Sequence, residues 1–403
     1  PTKDNFDSTW YNKVTEIINK AGSEYGIYSL LDGHQDAWSQ KFCGAGVPDY
    51  VAAIGGTNFP VPLQLTPVPV DPKTGYPNRT TCDSINNNNW PMYQFTTAIN
   101  TAVGDLYSNV NGLADRFANF WAKNAAVWRK NQYVVGYELL NEPWYASKTI
   151  KINFCIFFFS FDSNLLIPRR CGNVYTQPQL LIPGFADRQT LGPLYDRVNA
   201  AIRPFDPDHL IFFQGVTWEI LGFGEKYGFE HVPGGNDYRN RSVLAFHNSI
   251  AEDLDPEKNY YPYKAEEMQR LGCAAWVTET GTPQLDIADQ FGFSWMHWDY
   301  KWYANITWDN PGTSPKSFLA PFLQTPFLGI WKTNGSYLPC TGGVDDCLDV
   351  AAATGYSRVY PQAIAGRQST YSFDSTANVF RLTYTIEPSC TLPTEIAVPT
   401  RFR

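Results

Sequence analysis

The sequence has few charged residues and no run of lysine or arginine. Only 17% of its 403 residues are charged, and the formal net charge at pH 7 is -8. A nucleic-acid-binding surface requires a basic patch, so the composition argues against a nucleic-acid partner. A long apolar run is also lacking, because the longest, 150–161, is shorter than the ~20 residues that span a bilayer. The apolar fraction of 43% still suffices for a large core, which argues against a disordered chain.

The eight cysteines include no C-x-x-C pair and no zinc-ligand spacing. Cys340 and Cys347 flank a Gly-Gly turn, where a disulfide would close a short loop, although cysteines also occur as small buried apolar residues. We predict a secreted or lumenal protein (extracellular, digestive or lysosomal) with disulfides. Since the chain begins at a proline, we expect the signal-peptide region to lie outside it. Four N-x-S/T sequons agree with this compartment, at Asn78, Asn240, Asn305 and Asn334.

Apolar, strand-like runs alternate with helical segments, a pattern typical of a parallel sheet covered by helices. Polar or aromatic residues stand at the carboxyl ends of the strands, where a (β/α)8 barrel carries its active site. The sequence therefore predicts an α/β fold of the (β/α)8 TIM barrel type, with a doubly wound sheet as the alternative. The six predicted strands are 26–32, 133–140, 209–213, 243–247, 274–279 and 292–298, and the helices are at about 10–21, 113–128, 191–202 and 263–271.

Six strands are two fewer than a (β/α)8 barrel contains, and the chain opens in a helix. We therefore expect the first two strands of the barrel to be missing. After residue 360 the pattern changes, because 370–373 and 379–384 alternate around a polar turn and predict an antiparallel hairpin. We interpret it as the start of a truncated β-sandwich. The predicted domains are a catalytic barrel over 1–360 and this C-terminal domain over 361–403.

Residues 146–171 fit neither pattern. The segment contains FCIFFFSF, an apolar run without helical or strand alternation, although connecting loops are normally solvated. We interpret the segment as a translated intron or an error in the gene model, and a membrane-touching lid is the alternative.

Two glutamates stand at the ends of separate predicted strands. Glu142 belongs to an Asn-Glu-Pro tripeptide, and Glu279 belongs to WVTETG. Two carboxylates at strand ends can flank one glycosidic bond, and a separation of about 5–5.5 Å gives retention of configuration. Asn141, His247 and Trp298 also stand at or next to strand ends. This combination predicts a glycosidase site.

Five motifs together resemble the endoglycoceramidases of glycoside hydrolase family 5, namely LLDGHQD, ELLNEPW, VTETG, SWMHWDYKWY and RVYPQAIAG. The similarity covers nearly the whole chain outside 146–171. It implies a barrel followed by a β-sandwich, and cleavage between the oligosaccharide and the ceramide of glycosphingolipids. We expect a monomer that meets its glycosphingolipid substrate at a micelle or membrane surface and needs no metal and no cofactor.

The resemblance also implies residue roles. Glu142 is the acid/base and Glu279 is the nucleophile. By the same resemblance, His34, Asp36 and Asn141 line the sugar subsite nearest the ceramide. Trp298 forms the floor on which the sugar stacks, and His247 lies near the nucleophile. Five aromatic residues are candidates for an apolar groove that holds ceramide: Phe223, Phe229, Trp302, Tyr303 and Phe322.

Departures from the family pattern leave other functions open. Asn248 and Ser249 follow His247 where the family has tyrosines, and Asp299 replaces a glutamine after Trp298. One alternative is a related family 5 enzyme that acts on galactosylceramide, a steryl glucoside or a β-glucan. The other is a glycolipid-binding pseudoenzyme, against which the presence of both glutamates argues.

Overall fold

The structure is a computed structural model that describes residues 6–52, 59–61, 63–64, 66–85, 93–94, 96–144, 184–216, 228–248, 260–280, 285–297, 354–374 and 376–399. The chain divides into two units. The first comprises Pro1–Val243 with Leu271–Ala274, and the second comprises Leu244–Arg270 with Ala275–Arg403. The segment 146–171, interpreted above as a translated intron or an error in the gene model, lies outside the described residues.

Three parallel strands belong to the first unit: β1 (Ser29–Asp32), β2 (Val134–Glu138) and β3 (Leu210–Gln214). They pair in this order, with Leu31 opposite Tyr137 in the register of the first pair. β2 and β3 are buried along almost their whole length. Parallel strands covered by helices are buried on both faces, which explains why these two appear in the sequence as nearly continuous apolar runs.

Helices alternate with these strands along the chain. α1 (Ser8–Tyr25) begins where the side chain of Asp7 accepts hydrogen bonds from two backbone amides of the first turn. It ends at Gly26, whose φ of 66° suits a residue without a side chain. The other helices of this unit are α2 (Asp49–Ala52), α3 (Arg79–Ser84), α4 (Thr97–Tyr107), α5 (Leu113–Trp128) and α6 (Gly192–Ile202).

A disulfide joins Cys43 to Cys82 in the segment between β1 and α4. The two cysteines are 39 residues apart, and a cross-link that closes a loop of this length stabilises a fold by roughly 3–4 kcal/mol. The prediction that the protein contains disulfides is therefore confirmed. Cys340 and Cys347, the pair singled out in the sequence, lie outside the described residues.

The second unit contains three further strands and the helices around them, although the first residues of two of these strands belong to the first unit. The order of these strands is β4, β5, β6, and β5 is parallel to β6. In chain order the elements are β4 (Ser242–Asn248), α7 (Tyr260–Leu271), β5 (Ala274–Thr280), α8 (Leu285–Gln290) and β6 (Ser294–His297).

Aromatic side chains fill the core of the second unit. The rings of Phe246, Tyr261 and Phe293 are almost completely buried, and their centroids lie 5.3–6.0 Å apart. Edge-to-face and tilted arrangements of this kind stabilise a core beyond the burial of apolar area. They attach β4 to α7 and to the start of β6.

The carboxyl-terminal residues form antiparallel pairs. β8 (Gly366–Asp374) and β9 (Val379–Ile386) make a hairpin, and β7 (Tyr360–Ala363) pairs with β10 (Glu395–Ala397). The predicted hairpin is confirmed, and both of its strands are longer than predicted.

A buried charged group joins this hairpin to α8. Arg358, only 6% exposed, lies 2.5 Å from carboxylate oxygens of both Asp289 and Asp286. The hydroxyl of Tyr371 on β8 donates a hydrogen bond of 2.7 Å to Asp289. Burial raises the pKa of Asp289, and the hydrogen bonds from Tyr371 and Arg358 only partly oppose this effect. The stability of this buried group therefore depends on Arg358, Asp289 and Tyr371 together.

The predicted elements are present, most of them with shifted ends. β1 begins at Ser29 because Gly26 ends α1 and the side chains of Ile27 and Tyr28 are exposed. The helix predicted at 191–202 is preceded by a π turn, Asp187–Leu191. Within the described ranges, no helix is both long enough and apolar enough to cross a membrane.

Candidate active site

His34 lies two residues after the end of β1, between two carboxylates. Its Nδ1 is 2.7 Å from Asp32 Oδ2, and its Nε2 is 3.3 Å from Asp36 Oδ2. Burial alone would lower the pKa of His34, but the hydrogen bonds and charges of the two aspartates raise it to about 11. The imidazole is therefore charged at neutral pH, and its two acidic partners fix its orientation.

Asn141 lies beside this group and is 2% exposed. Its side-chain nitrogen lies 3.4 Å from His34 Nε2 and donates a hydrogen bond of 3.2 Å to the carbonyl oxygen of Gln35. Its own backbone amide donates to the carbonyl of Gly33. The structure thus brings together His34, Asp36 and Asn141, which come from segments about a hundred residues apart in the sequence.

Glu142 has a left-handed backbone conformation, with φ of 42°. Residues other than glycine adopt this region at a cost of about 1–3 kcal/mol, and such strain persists only where the surroundings fix it. The backbone amide of Glu142 donates to Gln214 Oε1 at 2.8 Å, and its carbonyl accepts from Gln35 Nε2 at 3.0 Å.

The two glutamines were missed by the sequence analysis. Gln35 stands inside the HQD motif, of which only His34 and Asp36 were chosen. Gln214 is the last residue of β3 and is 2% exposed. A polar residue that ends an otherwise apolar strand is the signal that could have identified it.

The second unit carries the other predicted carboxylate. Glu279 on β5 is 18% exposed, and its Oε2 lies 3.5 Å from Nδ1 of the buried His247 on β4. The carbonyl of His247 accepts a hydrogen bond of 2.9 Å from the hydroxyl of Tyr260. This places a carboxylate that is partly open to solvent next to a fixed imidazole.

β5 contains an irregularity next to Glu279. Val277 is opposite Trp295 on β6, but Thr280 is opposite His297, so β5 uses one residue more than its partner strand. Such a bulge redirects side chains and is frequent beside active sites. The imidazole of His297 lies against the ring of Tyr356, and its Nδ1 is 3.1 Å from the carbonyl oxygen of Thr280.

Trp298 and four of the aromatic groove candidates lie outside the described residues. The fifth candidate, Phe229, is 2% exposed and packs against Tyr195 and Phe213. Its assignment to a ceramide groove was therefore wrong, because its ring is part of the core of the first unit.

The comparison with protein families agrees with the motifs. Residues 1–304 match the family described as Cellulase (glycosyl hydrolase family 5), and residues 358–403 match the glycoside hydrolase family 5 C-terminal domain. The chain belongs to glycoside hydrolase family 5. The prediction of a (β/α)8 barrel class followed by a β-domain is confirmed by these matches and by the parallel and antiparallel strands described above.

Curated relatives of this family 5 chain extend along almost all of it. It is 36% identical over 400 residues to an endoglycoceramidase of Hydra vulgaris, a match that covers 97% of the chain and 65% of the relative. It is 34% identical over 411 residues to an endoglycoceramidase of Cyanea nozakii, covering 97% of the chain and 68% of the relative. The chain thus spans about two thirds of the length of the curated relatives it matches.

A solved structure shows the same fold. Endo-glycoceramidase II from Rhodococcus sp., described as a lactosyl-enzyme intermediate, matches with a TM-score of 0.64 at 18% identity. The match covers 100% of this chain and 76% of that chain.

Proposed function

We propose that this family 5 protein is a retaining glycoside hydrolase that cleaves the β-glycosidic bond between the oligosaccharide and the ceramide of glycosphingolipids. The observation that carries the proposal is the alignment of 97% of the chain with curated endoglycoceramidases at 36% and 34% identity. The placement of Glu142 just beyond β2 and of Glu279 at the end of β5 supports it, because barrel enzymes carry their catalytic groups at the carboxyl ends of strands.

In the proposed mechanism Glu279 is the nucleophile and Glu142 is the acid/base. A carboxylate oxygen of Glu279 forms a bond to the anomeric carbon while the bond from that carbon to the ceramide oxygen breaks. Glu142 transfers its proton to the departing oxygen and then removes a proton from water. The water oxygen attacks the anomeric carbon, the sugar is released and Glu279 is regenerated. This chemistry uses two carboxylates and no metal or cofactor.

The substrate-binding residues are proposed from the same geometry. The charged His34, held by Asp32 and Asp36, offers a fixed polar surface to sugar hydroxyls beside the amide of Asn141. His247 supports the carboxylate of Glu279. Trp298 lies outside the described residues, and it is proposed as the floor on which the sugar ring stacks from the resemblance to the endoglycoceramidases alone.

The proposed setting is a secreted or lumenal monomer that meets glycosphingolipid at a micelle or membrane surface. The disulfide between Cys43 and Cys82 supports an oxidising compartment. The proposed domains remain a catalytic barrel over 1–360 and a C-terminal β-domain over 361–403.

The test is incubation of the intact protein with a ganglioside and, separately, with galactosylceramide, followed by mass spectrometry of the products. We expect intact oligosaccharide and free ceramide from the ganglioside. Glu279→Gln should abolish release, because an amide is a far weaker nucleophile than a carboxylate. Glu230→Gln, the same substitution at an exposed position, is the matched control.

The other outcomes identify the alternatives. Release from galactosylceramide alone would contradict the ganglioside substrate and indicate the related enzyme on simple glycolipids. Binding of glycolipid by a folded protein without any cleavage would contradict the enzymatic proposal and indicate a pseudoenzyme.

A further inference from the structure

The backbone conformation of Glu142 requires an explanation beyond its side chain. Its φ of 42° lies in the left-handed region, which L-residues rarely adopt. The conformation sets the direction in which the carboxyl group leaves the chain. Whatever holds the backbone here also determines where the proton of the acid/base is delivered.

Gln35 holds the carbonyl side of this position. Its Nε2 donates to the carbonyl oxygens of Asn141 at 2.9 Å and of Glu142 at 3.0 Å. Its Oε1 accepts a hydrogen bond of 3.0 Å from the backbone amide of Trp38. Gln35 is 4% exposed, so water does not replace these contacts, and every hydrogen-bonding group of the amide is used.

Gln214 holds the amide side. Its Oε1 accepts the backbone N–H of Glu142 at 2.8 Å, and the residue is 2% exposed. The backbone of Gln214 is anchored in turn, because its carbonyl accepts a hydrogen bond of 2.9 Å from the buried hydroxyl of Tyr195 on α6. The peptide groups on both sides of Glu142 are therefore bound by side chains from two other strand ends.

We propose that Gln35 and Gln214 are positioning residues for proton transfer by Glu142, through the hydrogen bonds that hold its backbone in the left-handed conformation. The inference rests on the acid/base role given to Glu142 in the proposed function. A misplaced acid delays the departure of a poor leaving group such as the alcohol of ceramide. It matters little for the first step with a dinitrophenyl leaving group, which departs without protonation.

The experiment compares kcat/KM on lactosylceramide and on dinitrophenyl β-lactoside for the intact protein and its variants. Gln35→Met and Gln214→Met keep the side-chain length and remove the hydrogen bonds. We expect roughly a ten- to hundredfold loss on lactosylceramide and nearly unchanged kcat/KM on the aryl lactoside. Azide should raise turnover of the aryl lactoside, because it attacks the glycosyl-enzyme without a general base. Gln214→Glu keeps an acceptor oxygen and should recover part of the loss.

Asn199→Leu is the matched control, since it removes a buried amide on α6 that accepts a hydrogen bond from Arg203, outside the candidate site. Equal losses on both lactosides in the glutamine variants would overturn the proposal, because a structural defect does not depend on the leaving group.

If the wild type cleaves only the aryl lactoside, the proposed substrate fails and an alkyl β-lactoside replaces lactosylceramide in the comparison. If it cleaves neither, the proposed function fails, and a crystal structure of Gln214→Met decides. A φ at Glu142 that remains near 42° in that structure would overturn the inference.

Discussion

At the residue scale, the two carboxylates around His34 determine its charge and its contribution to stability. Burial opposes the charged form, but Asp32 and Asp36 raise the pKa of His34 from 6.5 to about 11. Because the folded-state pKa is the higher one, the stabilisation is complete below pH 6.5 and is lost as the pH rises through about 11. We expect His34→Gln to lower the free energy of unfolding, and the difference from wild type to shrink across this range.

Urea denaturation of wild type and His34→Gln at a series of pH values measures this difference. His231→Gln, at a histidine whose side chain is 41% exposed, serves as the control. A difference that is the same at pH 6.5 and near pH 11 would show that His34 does not carry the predicted charge.

The residues of the candidate site differ in how far the sequence could identify them. Asn141, Glu142 and Glu279 were identified because their residue types and their positions at strand ends suffice to predict a glycosidase site. Gln35 and Gln214 could not be assigned to Glu142 in this way. Their hydrogen bonds join positions 107 and 72 residues apart, and the need for them arises from a backbone angle that no residue pattern encodes.

At the scale of elements, the extra residue in β5 leaves the end of that strand dependent on the side chain of His297 for its position. The Nδ1 of His297 lies 3.1 Å from the carbonyl oxygen of Thr280. Thr280 directly follows Glu279 and is the first residue of β5 after the bulge that pairs with β6. Burial lowers the pKa of His297, so the ring is neutral at neutral pH. A carbonyl only accepts hydrogen bonds, and the proton of the neutral ring is therefore on Nδ1.

We expect His297→Leu to lower kcat on the glycolipid by roughly tenfold, because the end of β5, which carries the proposed nucleophile Glu279, loses its anchor. His297→Asn places an amide donor near the position of Nδ1 and should restore much of the loss. Steady-state kinetics of both variants tests this expectation. A leucine variant with wild-type kcat, or an asparagine variant as slow as leucine, would contradict it.

The ends of elements were harder to predict than their existence. Helix α5 (Leu113–Trp128) has the predicted bounds, because its apolar positions recur with the helical period between Gly112 and Arg129. The π turn Asp187–Leu191 was not predicted. There the carboxylate of Asp187 accepts backbone hydrogen bonds from Val216 and Gly228, which are distant in sequence.

At the scale of the whole molecule, alternating strands and helices sufficed to predict the barrel class, and the motifs sufficed for the family. The buried Arg358 was quoted only as part of a motif, RVYPQAIAG, with no structural role. Its importance depends on a carboxylate 69 residues away, since burial of an arginine is tolerated only with charged partners. A sequence shows the arginine and the aspartate but does not show that they meet.

Removal of Arg358 should therefore destabilise the second unit strongly. Arg358→Met leaves the buried carboxylate of Asp289 without its cation, and we expect a loss of roughly 3–5 kcal/mol in the free energy of unfolding. The double variant Arg358→Met with Asp289→Asn removes the uncompensated charge and should be more stable than the single variant, as a double-mutant cycle in urea would show. Arg367→Met, at an arginine on β8 outside this charged group, is the control. If the single and double variants unfold at the same urea concentration, the unpaired carboxylate of Asp289 is not the cause of the loss, and the prediction is wrong.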